Sequence, residues 1–234
     1  MRGGARLRRL WREWGAPLTW GLLITQFGAS AVRVDGASMW PALRHGEWLA
    51  LPKAEGWAHR LGAGGYARGD LVVLKPPRDF GAGWTNDFRS LTLPWRYRPS
   101  LIKRVVAVGG DVVQLRAGRL YLNGRAVDEP RTLNYWSRFC PDTASAVANT
   151  APLKVPAGHY FVMGDNRSPG GSLDSRVFGP VPAWNVETRA LASVWPLSRR
   201  AELSPPCDGE ARPERRARLG GPPEWNPRML DRQR

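Results

Sequence analysis

The feature that most constrains this chain is its punctuation: 26 Gly and 21 Pro in 234 residues, set between short β-branched runs. Beyond Val32 no stretch between these breaks carries a helical period, so the pattern selects strands and turns over helices. Residues 71–74, 105–108, 112–115, 160–163 and 191–195 read as strands. Residues 120–122 and 126–127 flank Asn123-Gly124, a pair suited to positive φ at both centres of a tight hairpin. The expectation is a mainly β fold, an antiparallel β-sheet domain over residues 33–197 with two insertions. Residues 76–100 are rich in Pro, Gly and aromatics, and residues 128–156 are polar and irregular; both read as long loops or hairpins set into the sheet.

Composition narrows the class. An apolar fraction of 42% supports a packed core and excludes a fully disordered or collagen-like chain, and two cysteines cannot make a disulfide framework. A formal charge of +15 points first to nucleic acid or an anionic membrane surface. That charge is 31 Arg against 4 Lys, a skew that reads as codon bias as readily as a binding patch. No nucleic-acid recognition motif accompanies it, so nucleic acid is not an expected partner.

The N-terminus places part of that charge. Arg2, Arg6, Arg8, Arg9 and Arg12 oppose Glu13 alone, and residues 14–32 then run nineteen positions without a charged side chain. As one helix this run would span about 28 Å, the thickness of a bilayer's hydrocarbon core. Trp11, Trp14 and Trp20 cluster at its basic end, where interfacial anchors sit, and the basic flank predicts a cytoplasmic N-terminus. The same features, ending in Ala29-Ser30-Ala31, also describe a cleavable signal peptide. Both readings export everything that follows. The expected layout is a basic cytoplasmic segment 1–13, a transmembrane anchor 14–32, the β domain 33–197, and a disordered Pro/Arg-rich tail 198–234. Cys140 and Cys207 are either a disulfide or two free thiols.

Chemistry-bearing residues are few. The histidines, at 45, 59 and 159, have no metal-ligand spacing with Cys or carboxylates, so neither a metal nor a cofactor is expected. Arg68-Gly69-Asp70 reads as a turn opening a strand. Ser100-Leu101-Ile102-Lys103 matches the S-x-x-K motif of penicillin-binding proteins, but a strand follows it and the partner motifs S-D-N and K-T-G are missing.

Four segments form a stronger pattern. Gly36-Ala37-Ser38-Met39-Trp40-Pro41-Ala42-Leu43 follows the apolar segment, then Arg68-Gly69-Asp70-Leu71-Val72-Val73. The third is Ile102-Lys103-Arg104-Val105-Val106-Ala107-Val108-Gly109-Gly110-Asp111. The fourth runs from Gly158 through Gly164-Asp165-Asn166-Arg167 and closes on Ser172-Leu173-Asp174-Ser175-Arg176 and Gly179. In this order, behind an N-terminal apolar run, they resemble the bacterial type I signal peptidases (leader peptidases) over roughly residues 14–197.

The resemblance implies a membrane-anchored serine endopeptidase with a Ser-Lys dyad. Ser38 matches the nucleophile and Lys103 the general base. A serine hydroxyl attacks poorly until a base takes its proton, and lysine serves only when neutral. Its ordinary pKa of about 10.4 falls when burial disfavours the ammonium, whereas arginine stays protonated. Leu101, Ile102, Val105 and Val106 would form the apolar walls. By similarity the Ser38 backbone N–H donates to the oxyanion; the family's frequent serine two positions earlier is Gly36 here. Ser172 matches the serine that orients the lysine amine, two residues later than the usual spacing. Gly164, Asp165, Asn166, Asp174 and Arg176 match structural positions, and Met39, Leu43 and Ile102 match the lining of shallow substrate pockets. Ala42, Leu101 and Gly109 replace a frequent threonine, aromatic and proline.

The implied substrates are precursor proteins bearing signal peptides, cut after A-x-A-like sites beside the lipid bilayer. The implied setting is a monomer on the outer face of the cell membrane, single-pass, with residues 14–32 retained as anchor. Trp84 and Trp95 would either seat the domain in headgroups or pack internally. Two rivals remain: a Ser-Lys processing peptidase of narrow substrate range, of the conjugation-pilin type, and a catalytically inactive surface-binding homologue.

Overall fold

The short β-branched runs become strands, and every ladder they form is antiparallel. The structure, a computed structural model, describes residues 8–9, 11–88, 91–129, 132, 136, 149–168, 170–204 and 218–230. Its central sheet has five strands in the order Val181–Pro182, His159–Met163, Leu101–Val108, Leu71–Leu74 and Val186–Arg189. Leu101–Val108 is covered on both faces, which is why it reads as a continuous apolar run and not an alternating one. Leu71–Leu74 is likewise buried throughout.

A second sheet orders Ala29–Arg33, Trp48–Pro52, Ala192–Trp195 and Arg228–Met229. Between these two sheets lies a cluster of Val34, Met39, Leu43, Leu49, Leu51, Leu71, Val73 and Ala190. A small third sheet contains the Asn123-Gly124 hairpin, where φ values of 52° and 80° are the positive pair that the dipeptide predicts. The first insertion holds a hairpin of Thr85–Phe88 and Leu91–Tyr97. Arg68-Gly69-Asp70 is a turn: Asp70 is buried and Arg68 pairs with Asp111. The S-x-x-K match lies in extended chain, with Ser100 Oγ donating to Glu187 Oε2 at 3.1 Å.

Two expectations need correction. Residues 14–32 do not form one helix. A π-helical turn Trp11–Gly15 leads into an α-helix Ala16–Phe27, and Ala29–Arg33 is already a strand paired with Trp48–Pro52. Gly28 ends the helix, and its carbonyl accepts from Lys53 N at 2.8 Å. The alternating Ala29–Arg33 then gains a ladder, which a continued helix would forfeit. Among the described residues, no helix is long and apolar enough to cross a membrane.

The tail from 198 onward, expected to be disordered, also contributes strands. Ser198–Ser204 pairs with Arg218–Trp225, and Arg228–Met229 adds to the edge of Ala192–Trp195. The tail has too few apolar residues to fold alone, but the edge of an existing sheet supplies backbone partners for Arg228–Met229, and its other two strands pair with each other. Cys140 and Cys207 lie outside the described residues, as does most of the second insertion.

Candidate active site

Ser38 sits on the turn that leaves Val34 and returns to the second sheet at Trp48. The turn is tied by Trp40 N to Ala37 O at 3.0 Å and Leu43 N to Met39 O at 2.8 Å. Met39 and Leu43 act as its root: they are 1% and 0% exposed, inside the core cluster. Side chains so enclosed offer substrate almost no surface, contrary to the pocket-lining expectation, whereas Ile102 keeps partial exposure at the cluster's edge. Gly36 has φ of +89°, a region that disfavours other residues, and its N–H donates to His45 Nδ1 at 3.1 Å. His45 therefore touches the turn through the Gly36 backbone N–H.

Lys103 comes to the same point from the centre of the main sheet. It stands opposite Val72 in the ladder and is 2% exposed. Its Nζ is 2.7 Å from Ser38 Oγ, across 65 residues of sequence. Burial is the main influence on the amine, because an ammonium there loses its water. The Asp174 carboxylate favours the charged form, Arg176 opposes it and Asp165 favours it; burial prevails and the pKa falls from 10.5 to about 8. The Ser38 N–H takes no hydrogen-bond partner among the described residues.

Residues 164–168 and 170–176 wrap this pair. The Gly164 N–H donates to Asp174 Oδ2 at 2.9 Å, and Asp174 holds Arg176 through both carboxylate oxygens at 2.9 and 2.8 Å. Burial alone would raise the Asp174 carboxyl; the Arg176 guanidinium and the Gly164 N–H hold it below the usual range. Gly164 is required by close approach: a Cβ there would lie 2.2 Å from Ser172 Oγ and 2.4 Å from Ser38 O. Ser172 is thus beside the Ser38 backbone. Its hydroxyl is buried, completes no hydrogen bond by geometry, and makes none to Lys103; its nearness to Asp174 is the weakest of the influences on that carboxylate.

Asn166 reaches further than shaping a turn. Its N–H donates to Ser38 O at 3.1 Å and its Nδ2 to Ala37 O at 3.3 Å, so it clasps the serine turn from the opposite side. Asp165 is fully buried against Arg104, with Nε–Oδ1 at 2.8 Å and Nη2–Oδ2 at 2.5 Å. Arg104, Arg167, Glu129 and Trp136 were not singled out as site residues. Arg167 is buried and pairs with Glu129 through both nitrogens of its fork, while Trp136 Nε1 donates to Asp165 O at 2.7 Å. Both arginines lay inside the quoted motifs; Arg104, in the apolar run 101–108, carries the signal of a buried partner, whereas nothing local to Arg167 does. Nothing local to Glu129 or Trp136 marks them. No group of three or more His, Cys, Asp or Glu among the described residues is placed to hold a metal ion.

A half-buried serine hydroxyl 2.7 Å from a buried lysine amine, carried on an antiparallel β scaffold, has the makings of a serine peptidase site. The family described as "Signal peptidase, peptidase S26" matches residues 8–195, and the chain belongs to that family. It is a serine endopeptidase that removes signal peptides from exported precursors. Signal peptidase I of Leptolyngbya laminosa is 32% identical over 196 residues, covering 82% of this chain and 81% of that protein. Signal peptidase I T of Bacillus subtilis (strain 168) is 32% identical over 168 residues, covering 70% and 74%. A crystal structure of a signal peptidase I from Enterococcus faecalis V583 is 27% identical, covering 54% of this chain and 97% of that one, at a TM-score of 0.41.

Proposed function

We propose that the reaction runs through Ser38 as nucleophile and Lys103 as general base. The observation that carries this reading is the 2.7 Å approach of a buried Lys103 Nζ to Ser38 Oγ. A neutral amine accepts the hydroxyl proton as Oγ attacks the scissile carbonyl; the ammonium then protonates the leaving amine, and water hydrolyses the acyl-enzyme with the same base. The Ser38 N–H donates to the oxyanion. Asn166 and Gly164 keep the turn in place, and the Asp174–Arg176 pair lies close enough to tune the amine. Ser172 orients Lys103 once substrate closes the site, its unpaired hydroxyl being the available donor or acceptor. Ile102 contacts the small side chains of an A-x-A site, with Met39 and Leu43 as packing beneath. Ser38→Ala and Lys103→Ala are each expected to abolish precursor cleavage while the chain stays folded. Full activity in either refutes the dyad.

The residues before Ala29 we assign to the bilayer, as a single anchor with a cytoplasmic N-terminus and an extracytoplasmic catalytic domain. Trp14, Leu18, Trp20, Leu22, Leu23 and Phe27 are exposed on all sides of the helix, a distribution suited to lipid and not to one protein face. Phe88, Leu91 and Trp95 on the first-insertion hairpin are exposed too, Trp95 by 62%, which favours seating in headgroups over internal packing. Residues 29–31 sit in a ladder, Ser30 opposite Leu51, so cleavage there would first have to strip a strand from its sheet. Release of the chain from membranes by alkaline carbonate would refute the anchor.

A further inference from the structure

A buried polar knot lies directly behind the Ser38 turn, and the mechanism above does not use it. Glu47 is 2% exposed, and its carboxylate accepts from Arg44 N at 3.3 Å, Ser193 Oγ at 2.8 Å and Arg228 Nη2 at 3.3 Å. The same Arg228 Nη2 donates to Ala42 O at 2.5 Å, while Nη1 donates to Asn226 Oδ1, also at 2.5 Å. Ala42 belongs to the turn that carries Ser38, 186 residues away in sequence from Arg228.

The segment around Arg228 is well founded for such a role. Asn226 is fully buried; its N–H donates to Leu197 O at 3.0 Å and its Nδ2 to Pro196 O at 2.7 Å. Arg228 stands opposite Ser193 in the sheet, and Leu230 N donates to Leu191 O at 2.9 Å. The Leu230 side chain then packs on the cluster that contains Met39 and Leu43, the root of the turn. Residues 226–230 thus grip the turn twice, by a guanidinium on its carbonyl and an apolar side chain beneath it. They lie beyond residues 8–195, the part that the family shares.

We propose that residues 226–230 form a strap that positions the nucleophile turn, with Arg228 as its positioning residue. A planar guanidinium can bridge Ala42 O, Glu47 and Asn226 at once, which a single-point ammonium cannot. Asn166 holds the opposite side through Ala37 O and Ser38 O, so the Ser38 hydroxyl is set between two clamps. Displacement of a reacting group by about 1 Å can cost on the order of 10²-fold in rate. The strap therefore acts on kcat and leaves substrate binding nearly untouched. The inference rests on Ser38 being the nucleophile.

The test uses the full chain and a precursor peptide with an A-x-A site. Arg228→Ala is expected to lower kcat about tenfold or more with KM changed less than about threefold. Guanidinium chloride at sub-denaturing concentration should restore part of that kcat, and ammonium chloride should not. Arg228→Lys keeps the charge beside Glu47 and should show a smaller kcat loss at an unchanged melting temperature. Wild-type kcat in Arg228→Ala, or a loss that guanidinium does not relieve, overturns the strap. Should Arg228→Ala fail to fold, Arg228→Lys decides: full kcat overturns the strap, reduced kcat at unchanged melting supports it. Ser38→Ala runs in parallel. Cleavage that survives it overturns the nucleophile reading and the strap together, whereas cleavage lost there but intact in Arg228→Ala overturns the strap alone.

Discussion

Lys103→Met exchanges a buried amine for an uncharged side chain of similar length. Burial brings Lys103 from 10.5 to about 8, and at ~1.4 kcal/mol per pH unit folding disfavours its ammonium by about 3 kcal/mol. Below about pH 8 the lysine is protonated in both the folded and the unfolded chain, so the whole penalty is present. Between about 8 and 10.5 the folded chain has released its proton while the unfolded chain still holds one, so stability rises with pH. Above that window the penalty is gone. Methionine carries no such penalty but gives up the contact with Ser38 Oγ, worth about 1 kcal/mol. Lys103→Met should therefore be the more stable protein by about 2 kcal/mol near neutral pH, and the less stable by about 1 kcal/mol above the window. It should also cleave nothing. Urea midpoints of both proteins across this range measure the crossover. A difference that stays constant with pH, or a destabilised variant near neutrality, would show that the amine is not desolvated as described.

Three further outcomes follow from the same geometry. Because the active form of Lys103 is the neutral one, kcat/KM should climb roughly tenfold per pH unit below about 8 and level off above it; a flat profile rules out a lysine base. Gly164→Ala places a methyl 2.2 Å from Ser172 Oγ and 2.4 Å from Ser38 O, so kcat should drop about 10²-fold, and undiminished turnover would mean that the loop yields freely. Asp165→Asn leaves the buried Arg104 guanidinium without its counter-charge and should cost about 3 kcal/mol in urea denaturation. A loss under about 1 kcal/mol would show that the pair is replaceable.

Much of the central sheet was legible because its strands are buried on both faces, so their apolar runs survive without tertiary context. Leu71–Leu74 and His159–Met163 are of this kind. Trp48–Pro52 and Val186–Arg189 were missed: each alternates, with Leu49 and Leu51 or Val186 and Thr188 inward, but over only four or five residues, too few to stand out from sequence. The helix boundary was misplaced for a related reason. Apolarity alone does not say where a helix ends, and Ala29–Arg33 became a strand because Trp48–Pro52 was there to pair with it.

The site divides along the same line. The choice of Ser38 as nucleophile and Lys103 as base came from the resemblance of four ordered segments to the signal peptidases. From the order of residues alone came the antiparallel β class, the tight Asn123-Gly124 hairpin, and the oddity of a lysine in an apolar run of a chain that otherwise prefers arginine. These follow from local sterics and from the chemistry of one side chain, which need no partner to be read. Tertiary structure decided the rest: that Lys103 Nζ meets Ser38 Oγ, that Met39 and Leu43 are core, and that Asn166 and Arg228 clasp the turn. Such facts depend on which distant backbone groups a fold leaves in need of a partner, and the Arg228–Ala42 contact joins residues 186 positions apart.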